Sequence, residues 1–379
     1  MGKLGQEIIR DFASKLDNSP GVYRMLDNQA RVLYVGKARS LKARVSNYAR
    51  HSGHSSRIAR MISETADLMV LTTETETEAL LLEQNLIKQL KPKYNVLLRD
   101  DKSFPYIFIS NEHDFPRIEK HRGAKIRKGS YYGPFASAGA VNRTINTLQK
   151  IFLLRSCSDR EVEAGNRPCL NYHMKRCAGP CGGKVTKEDY AELVNSADNF
   201  LKGRSTEIQE MLAAKMEKAS AEMEFEKAAS LRDRIRALTQ IQSSQGINPK
   251  GIREADIIGL HREGASICIQ VFFIRGYQNW GNRDFYPRIN LDNSDEEVLE
   301  AFIGQFYSNK EPPKQLILSH PVQNHDLIIN FLTEKLGKRV DIIIPRRGEK
   351  FDIVASAIRN ARESLGRKLE QAATQKKLL

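Results

Sequence analysis

Short apolar runs and helical stripes alternate along the first hundred residues. Gly21 to Met25 and Val32 to Val35 each carry the brief apolar run of a β-strand, with the turn-like "LDNQA" between them. Ser40 is placed to cap a helix that runs to about Tyr48. "DLMVLTT" (67–73) predicts a third strand, and "ETEALLLEQNLIKQLKP" a helix stopped at Pro92. "MGKLGQEIIRDFASKL" at the start reads as an amphipathic helix. "YIFIS" and "YYGPF" are strand-like, and a helix follows near 139–151. Residues 205–242 are charged and helical. "QSSQGINPKG" (242–251) reads as a linker. Three strand-like runs follow (256–261, 266–274, 282–287), then a helix, "QLILS", a second helix and "VDIIIP".

These elements predict an α+β multidomain chain. A small α/β domain covers 1–98 and an α/β extension 99–155. A cysteine-rich module covers 156–183, a helical hairpin 205–242, a second mixed α/β domain 254–345 and a basic helical tail 346–379. The strand and helix order of 254–345 is compatible with an RNase H-like fold. Its carboxylates form no convincing set: Asp256 opens a strand and Asp284 sits beside Arg283.

Charge narrows the function. The 379 residues carry a net charge of +14. Between Arg24 and Arg60 there are nine Lys or Arg and one acid, Asp27. Clustered cations point to a polyanion, because neutralising phosphates releases counterions. No apolar run approaches the ~20 residues of a membrane span, so no membrane partner is expected. The Met-Gly start is not a myristoylation site, since Gln6 stands where that motif needs Ser or Thr. Five cysteines in a chain this long are not a disulfide scaffold, and a cytoplasmic protein is expected.

Candidate chemistry gathers in the first domain. If the first two strands pair antiparallel, Tyr23 and Tyr34 can project from one sheet face. Lys37 follows directly, and Arg44 and Tyr48, four apart, share a helix face. Glu83 lies among leucines, where an unpaired carboxylate would be costly. Phosphodiester hydrolysis needs a base, cations for the developing charge and a metal at an oxygen. A phenol near pKa ~10 is a poor base unless cations lower it, and Lys37 and Arg44 are the expected cause of such lowering. Glu83 could hold one Mg²⁺. Arg39 and Lys42 read as phosphate contacts.

Four thiols follow as Cys157-x11-Cys169-x7-Cys177-x3-Cys181. That spacing suggests a four-thiolate site for zinc or an iron–sulfur cluster, and the residues alone leave the metal open. In 216–238, Phe225, Ala228, Leu231, Ile235 and Leu238 form a helical stripe. The hairpin is expected to be too small to bury that face, which argues for a partner.

Gly21-Val22-Tyr23, Tyr34-Val35-Gly36, Lys37, Arg44, Tyr48, Glu83 and Asn95 resemble the GIY-YIG nuclease motif, with Val at both Ile positions. "ETEALLLEQNLIKQLKPKYNVLL" and "RPCLNYHMKRCAGPC" resemble the UvrC family, the incision subunits of bacterial nucleotide excision repair. The resemblance implies a small GIY-YIG α/β nuclease domain that cuts damaged double-stranded DNA on the 3′ side, with Mg²⁺ or Mn²⁺. It implies Glu83 as the metal ligand, Tyr34 as general base and Arg44 as phosphate stabiliser. Tyr23, Lys37, Tyr48 and Asn95 would complete the site. A [4Fe-4S] cluster is implied at Cys157, Cys169, Cys177 and Cys181, with zinc the alternative. "EFEKAASLRDRI" resembles the UVR motif, whose partner is UvrB. There Phe225 would be the apolar anchor, with Glu226, Arg232 and Asp233 at its rim.

Family members continue into a second nuclease and helix-hairpin-helix motifs, so a fragment or a naturally short form is expected. Two other functions share some of these features: an adaptor built on a UVR hairpin and a cysteine cluster, and a DNA-binding scaffold of weak nuclease activity. The tyrosine, arginine and glutamate set favours the enzyme.

Overall fold

The computed structural model describes residues 5–50, 53–98, 103–165, 167–244 and 251–378. Most of the linker expected over 242–251 lies outside them. The chain divides into two compact units. One comprises Met1–Asp101, Ile257–Val271 and Asp284–Leu379; the other comprises Lys102–Asp256 and Phe272–Arg283.

The first unit opens with helix α1 (Gly5–Ser14), strands β1 (Gly21–Leu26) and β2 (Val32–Ala38), and helices α2 (Leu41–Tyr48) and α3 (Ser56–Glu64). Strand β3 (Asp67–Thr72) and helix α4 (Glu76–Leu90) follow. The sheet order is β2-β1-β3, all antiparallel. The Ser40 hydroxyl caps α2 by accepting from the Ala43 amide, as expected. Thr75 caps α4 in the same way, and Glu76 and Glu78 favour its first turn. Lys91 ends α4 in the left-handed region, at φ 48°, just before Pro92. One sheet face, with Tyr23 and Met25, packs on α1, α2 and α3 through Ile9, Val45 and Met61. The other, with Val22 and Val35, packs on α4 through Ala79 and Ile87.

The second unit holds strands β4 (Pro105–Ser110), β5 (Ile118–Arg122) and β6 (Gly129–Tyr132) in the order β5-β4-β6. Helices α5 (Ala138–Phe152), α6 (Asp159–Glu163), α7 (Leu170–His173), α8 (Lys187–Leu201), α9 (Ser205–Ala221) and α10 (Phe225–Ser244) come next. The hairpin α9–α10 departs from expectation. Its stripe is not left unpartnered: Ile208, Leu212, Leu231 and Leu238 are buried in one core with Ile145, Leu148 and Phe152 of α5. Helices α5 and α8 supply the apolar surface that the hairpin alone lacks.

Strands β7 (Glu254–Glu263), β8 (Ser266–Arg275) and β9 (Gln278–Phe285) precede α11 (Asp295–Tyr307), β10 (Gln315–Leu318), α12 (His325–Leu336), β11 (Asp341–Ile343) and α13 (Glu349–Leu378). Their sheet runs β11-β10-β7-β8-β9. Helix α13 lies so close to β7 that a Cβ on Gly259 would meet the Ala357 carbonyl carbon at 2.7 Å. Cys268 is buried against Ala361 and Leu365 of the same helix. Asp256 is buried, and its Oδ1 pairs with Arg275 Nη1 at 2.7 Å. Asp284 accepts from the Tyr286 hydroxyl at 2.5 Å. Both carboxylates are thus engaged within their own fold.

Candidate functional site

The paired register decides which side chains meet. Tyr23 of β1 lies opposite Gly36 of β2, and Tyr34 is two residues before Gly36, so both phenols share one face. Their ring centres are 6.1 Å apart. The Tyr23 ring crosses directly over Gly36. A Cβ there would sit 2.4 Å from the Tyr23 hydroxyl and 2.8 Å from Tyr34. Only glycine admits this crossing, which explains the third residue of the second tripeptide.

Tyr23 is fully buried and shares a 2.8 Å hydrogen bond with the Tyr48 hydroxyl. Arg44 Nε donates to the Tyr23 hydroxyl at 3.4 Å, and the guanidinium lies 5.6 Å from the Tyr48 ring centre. The four-residue spacing on α2 thus brings both side chains onto one phenol.

Strand β2 is a sheet edge, and its outward backbone groups need partners. The structure supplies them from three directions. The Leu33 carbonyl accepts from the Tyr94 amide at 3.0 Å. At Val35, Asn95 Oδ1 accepts from the amide at 2.9 Å and Asn95 Nδ2 donates to the carbonyl at 2.7 Å. The Lys37 amide donates to Glu83 Oε1 at 2.8 Å. Asn95 therefore positions the strand. Both of its amide heteroatoms bond the Val35 backbone, at the edge of the cavity that Asn95 also lines.

Glu83 is buried, 9% exposed, and its second oxygen accepts from Gln84 Nε2 at 3.0 Å. The carboxyl is pushed up to about 7, chiefly by burial, against the pull of Lys37; Glu300 adds to the rise. Gln84 Oε1 is buried without a hydrogen-bond partner. A carboxylate beside an orphaned amide oxygen is a hard, oxygen-only donor pair, and it fits a divalent cation that keeps most of its water. Sequence reasoning missed Gln84, although it adjoins Glu83.

A cavity of about 950 Å³ opens here, lined by Tyr34, Lys37, Arg39, Arg44, Glu83 and Gln84. Tyr34 is the one phenol of the three on that lining. Opposite stand Glu297 and Glu300 of α11 and residues 323–327 at the start of α12. Lys37 Nζ lies 3.7 Å from Glu300, and Arg57 Nη2 is 3.4 Å from Glu297. No local signal links these glutamates to a site more than two hundred residues earlier. Lys42 is exposed and off the cavity lining.

The expected lowering of the phenols is overturned. Burial above all, then Tyr48 and Tyr34, holds Tyr23 well above the usual phenol range. Burial, then Tyr48 and Glu83, does the same to Tyr34. Arg44 pulls both the other way and is outweighed, because desolvation penalises a phenolate more than one cation favours it.

The four cysteines are all unpaired. Burial pushes Cys177 up to about 11, and the other three thiols each add to the rise. Gly179 donates its amide to Cys177 Sγ at 3.4 Å. Cys169 is exposed, while Cys157 and Cys181 are half-buried. Among the described residues no three His, Cys, Asp or Glu side chains converge as a metal requires. The closed four-thiolate site expected from the spacing is therefore not found among the described residues.

At the α9–α10 turn, Phe225 is 66% and Met223 77% exposed. Glu226, Arg232 and Asp233 are exposed too, and Arg232 pairs with Asp233 at 3.0 Å. Among the described residues no helix is long and apolar enough to cross a membrane.

Four family patterns match in series. Residues 19–96 match the UvrC-like GIY-YIG domain, 104–200 the UvrC/Cho excinuclease middle domain, 206–241 the UvrB/uvrC motif and 254–368 the UvrC ribonuclease H-like domain. The UvrABC system protein C of Cereibacter sphaeroides is 63% identical over 375 residues, covering 99% of this chain and 60% of that protein. Its namesake in Jannaschia sp. is 65% identical over 377 residues, covering 100% and 60%. The crystal structure of the GIY-YIG N-terminal endonuclease domain of UvrC from Thermotoga maritima, bound to its catalytic magnesium, is 34% identical. It covers 23% of this chain and 96% of that domain, with a TM-score of 0.22. The chain spans about 60% of the length of these curated relatives. With four UvrC-type modules in unbroken order and more than 60% identity along nearly all its residues, this chain belongs to the UvrC family.

Proposed function

We propose that the chain is a DNA endonuclease subunit of nucleotide excision repair, making the 3′ incision in damaged duplex by metal-dependent phosphodiester hydrolysis. One observation carries this reading: Tyr34, Lys37, Arg44 and Glu83 face a single cavity, with Glu83 beside an orphaned amide oxygen.

Glu83 and Gln84 would hold Mg²⁺ or Mn²⁺, which when bound polarises a phosphate oxygen and steadies the leaving alkoxide. Tyr34, alone of Tyr23, Tyr34 and Tyr48 on the cavity lining, would take the proton of the attacking water. Glu83's charge is one cause of the raised Tyr34, so neutralising that carboxylate favours the base. Arg44 and Lys37 would stabilise charge developing on the phosphate. Tyr23 and Tyr48 hold Arg44 in place, Asn95 holds β2, and Arg39 and Lys42 would contact flanking phosphates.

Cys157, Cys169, Cys177 and Cys181 would hold an iron–sulfur cluster, with zinc the other soft-donor choice. The nearness of the thiols and the amide-to-sulfur contact support this, and hydrolysis needs no electron from such a group. Phe225, rimmed by Glu226, Arg232 and Asp233, would dock on UvrB. The unpaired cysteines fit a reducing compartment, the cytoplasm.

The test is nicking of a lesion-bearing duplex with UvrB and Mg²⁺. Wild type should nick and Glu83→Ala should not. Nicking by Glu83→Ala at the wild-type rate would overturn the site.

A further inference from the structure

Strands β5 and β6 flank β4, and each pairs with it antiparallel. Strand β5 ends at Arg122, opposite Pro105 at the start of β4. Strand β6 begins at Gly129, opposite Ser110 at the end of β4. Residues 123–128 must therefore run the length of β4 across one sheet face. Ile107 and Ile109 point to the core, leaving Tyr106 and Phe108 on the face that is crossed.

The strap is tied down on that face. Lys125 Nζ lies 4.8 Å from the Tyr106 ring centre, and the Arg127 guanidinium 4.6 Å from that of Phe108. Arg127 also pairs with Glu119. A His121 ring nitrogen is 2.9 Å from the Ala124 carbonyl oxygen. The Tyr131 hydroxyl bonds both the amide and the carbonyl of Arg127 at 3.0 Å. At the crest, between the two stacked cations, Ile126 is 85% exposed, more than any other large hydrophobic among the described residues. A loop pinned this firmly holds an isoleucine in water, and nothing in the nuclease site uses it.

The surrounding charge is mostly positive, and the one acid against the strap, Glu119, is paired with Arg127 and Arg117. From Lys120 to Ser158 the sequence contains eight Lys or Arg and no Asp or Glu. Lys120, Arg122 and Lys128 are exposed around the strap.

We propose that residues 122–128 form a duplex-DNA contact, with Arg122 and Lys128 on phosphates and Ile126 as an apolar wedge at a base step. The proposal rests on the reading of the chain as a DNA-acting protein. An apolar residue between cations is the arrangement by which proteins part a base step from the groove side. Single-strand binders instead present open aromatic rings for bases to stack on. Here Phe108 is fully buried, and cations already lie over both β4 rings. The strap therefore suits a duplex.

Anisotropy titrations of the full chain test this, without divalent cation so that no strand is cut. The probes are a duplex carrying 2-aminopurine at mid-length and its isolated single strand. Wild type should bind the duplex and raise the 2-aminopurine signal. Ile126→Ala should weaken duplex binding about 10- to 100-fold, the scale of losing one buried aliphatic side chain, and abolish the rise without changing the salt slope. Arg122→Ala with Lys128→Ala should flatten the slope of log K against log salt by about 2, one unit for each phosphate contact. All three side chains are exposed, so unchanged melting of both variants is the control. Wild-type affinity and signal in Ile126→Ala, or a wild-type salt slope in the double variant, would overturn the proposal. So would an equal loss on the single strand. If wild type binds neither DNA, the proposal falls together with the reading it rests on. If only the strap variants behave as wild type, that reading stands and the strap contact alone falls.

Discussion

Glu83 accepts a 2.8 Å hydrogen bond from the backbone amide of Lys37, so one carboxylate both finishes a sheet edge and faces the cavity. Burial, the largest effect on it, raises its pKa to about 7. An acid raised in the folded state binds more protons folded than unfolded between its ordinary range and that value. Stability from this source is full below pH ~4.5 and is lost as pH rises through about 7. The loss could reach about 3 kcal/mol by pH 8. Denaturant midpoints measured from pH 4.5 to 8 without divalent cation should show this fall in wild type. Glu83→Gln, which cannot ionise, should flatten it. A parallel pH slope in the variant would mean that Glu83 is not the group responsible.

Arg44 and its exposed neighbours should separate in kinetics. Arg44 is held by Tyr23 and Tyr48 and faces the cavity. A cation aimed at developing charge acts mainly in the transition state, and removing one typically costs ~100- to 1,000-fold in rate. Arg44→Ala should show that loss under single-turnover conditions with little change in DNA affinity. Arg39→Ala and Lys42→Ala should instead weaken binding and lessen its salt dependence. Equal rate losses in all three would remove the distinction.

Much of the nuclease domain is legible in the sequence because its signals are local. Two tripeptides bring Tyr23 and Tyr34 to one sheet face, and Ser40 and Pro92 mark helix ends. Helix α3 goes unread because its apolar stripe of Ile58, Met61 and Ile62 covers only nine residues. The role of Asn95 is hidden because it depends on Val35, sixty residues earlier. Glu297 and Glu300 are invisible for the same reason. The raised phenols run against the sequence pattern because cations can be counted along a chain while desolvation cannot. The hairpin stripe is plainly apolar, but its cover, α5, is assigned by tertiary packing.

Cys177 is the most buried of the four clustered thiols and the one all the others raise. If the cluster holds a metal group, its binding energy is also folding energy. Cys177→Ser should then lose bound metal and expose residues 156–183 to proteolysis, with the nuclease domain intact. Iron and sulfide analysis of anaerobically prepared wild type identifies the group. Stoichiometric zinc without visible absorbance would reject the iron–sulfur assignment and keep the site. No metal of either kind would reject both.

Phe225 tests whether partner docking and incision are separate functions. It stands 66% exposed at the α9–α10 turn beside Met223, while Leu231 and Leu238 further along α10 are buried. The part of the stripe that packs internally is therefore distinct from the part that faces outward. Truncating a central aromatic anchor commonly costs about 2–4 kcal/mol of binding, or roughly 30- to 1,000-fold in affinity. Phe225→Ala should weaken the complex with UvrB on that scale and leave thermal stability unchanged, since the ring covers no core. Incision that depends on the partner should fail at low UvrB and recover as UvrB is raised. Glu83→Ala should bind UvrB normally and fail at every concentration. A pull-down paired with a nicking titration separates the two. Normal UvrB binding by Phe225→Ala would move the docking role elsewhere. Loss of melting temperature instead would mean that the turn is an internal packing element after all.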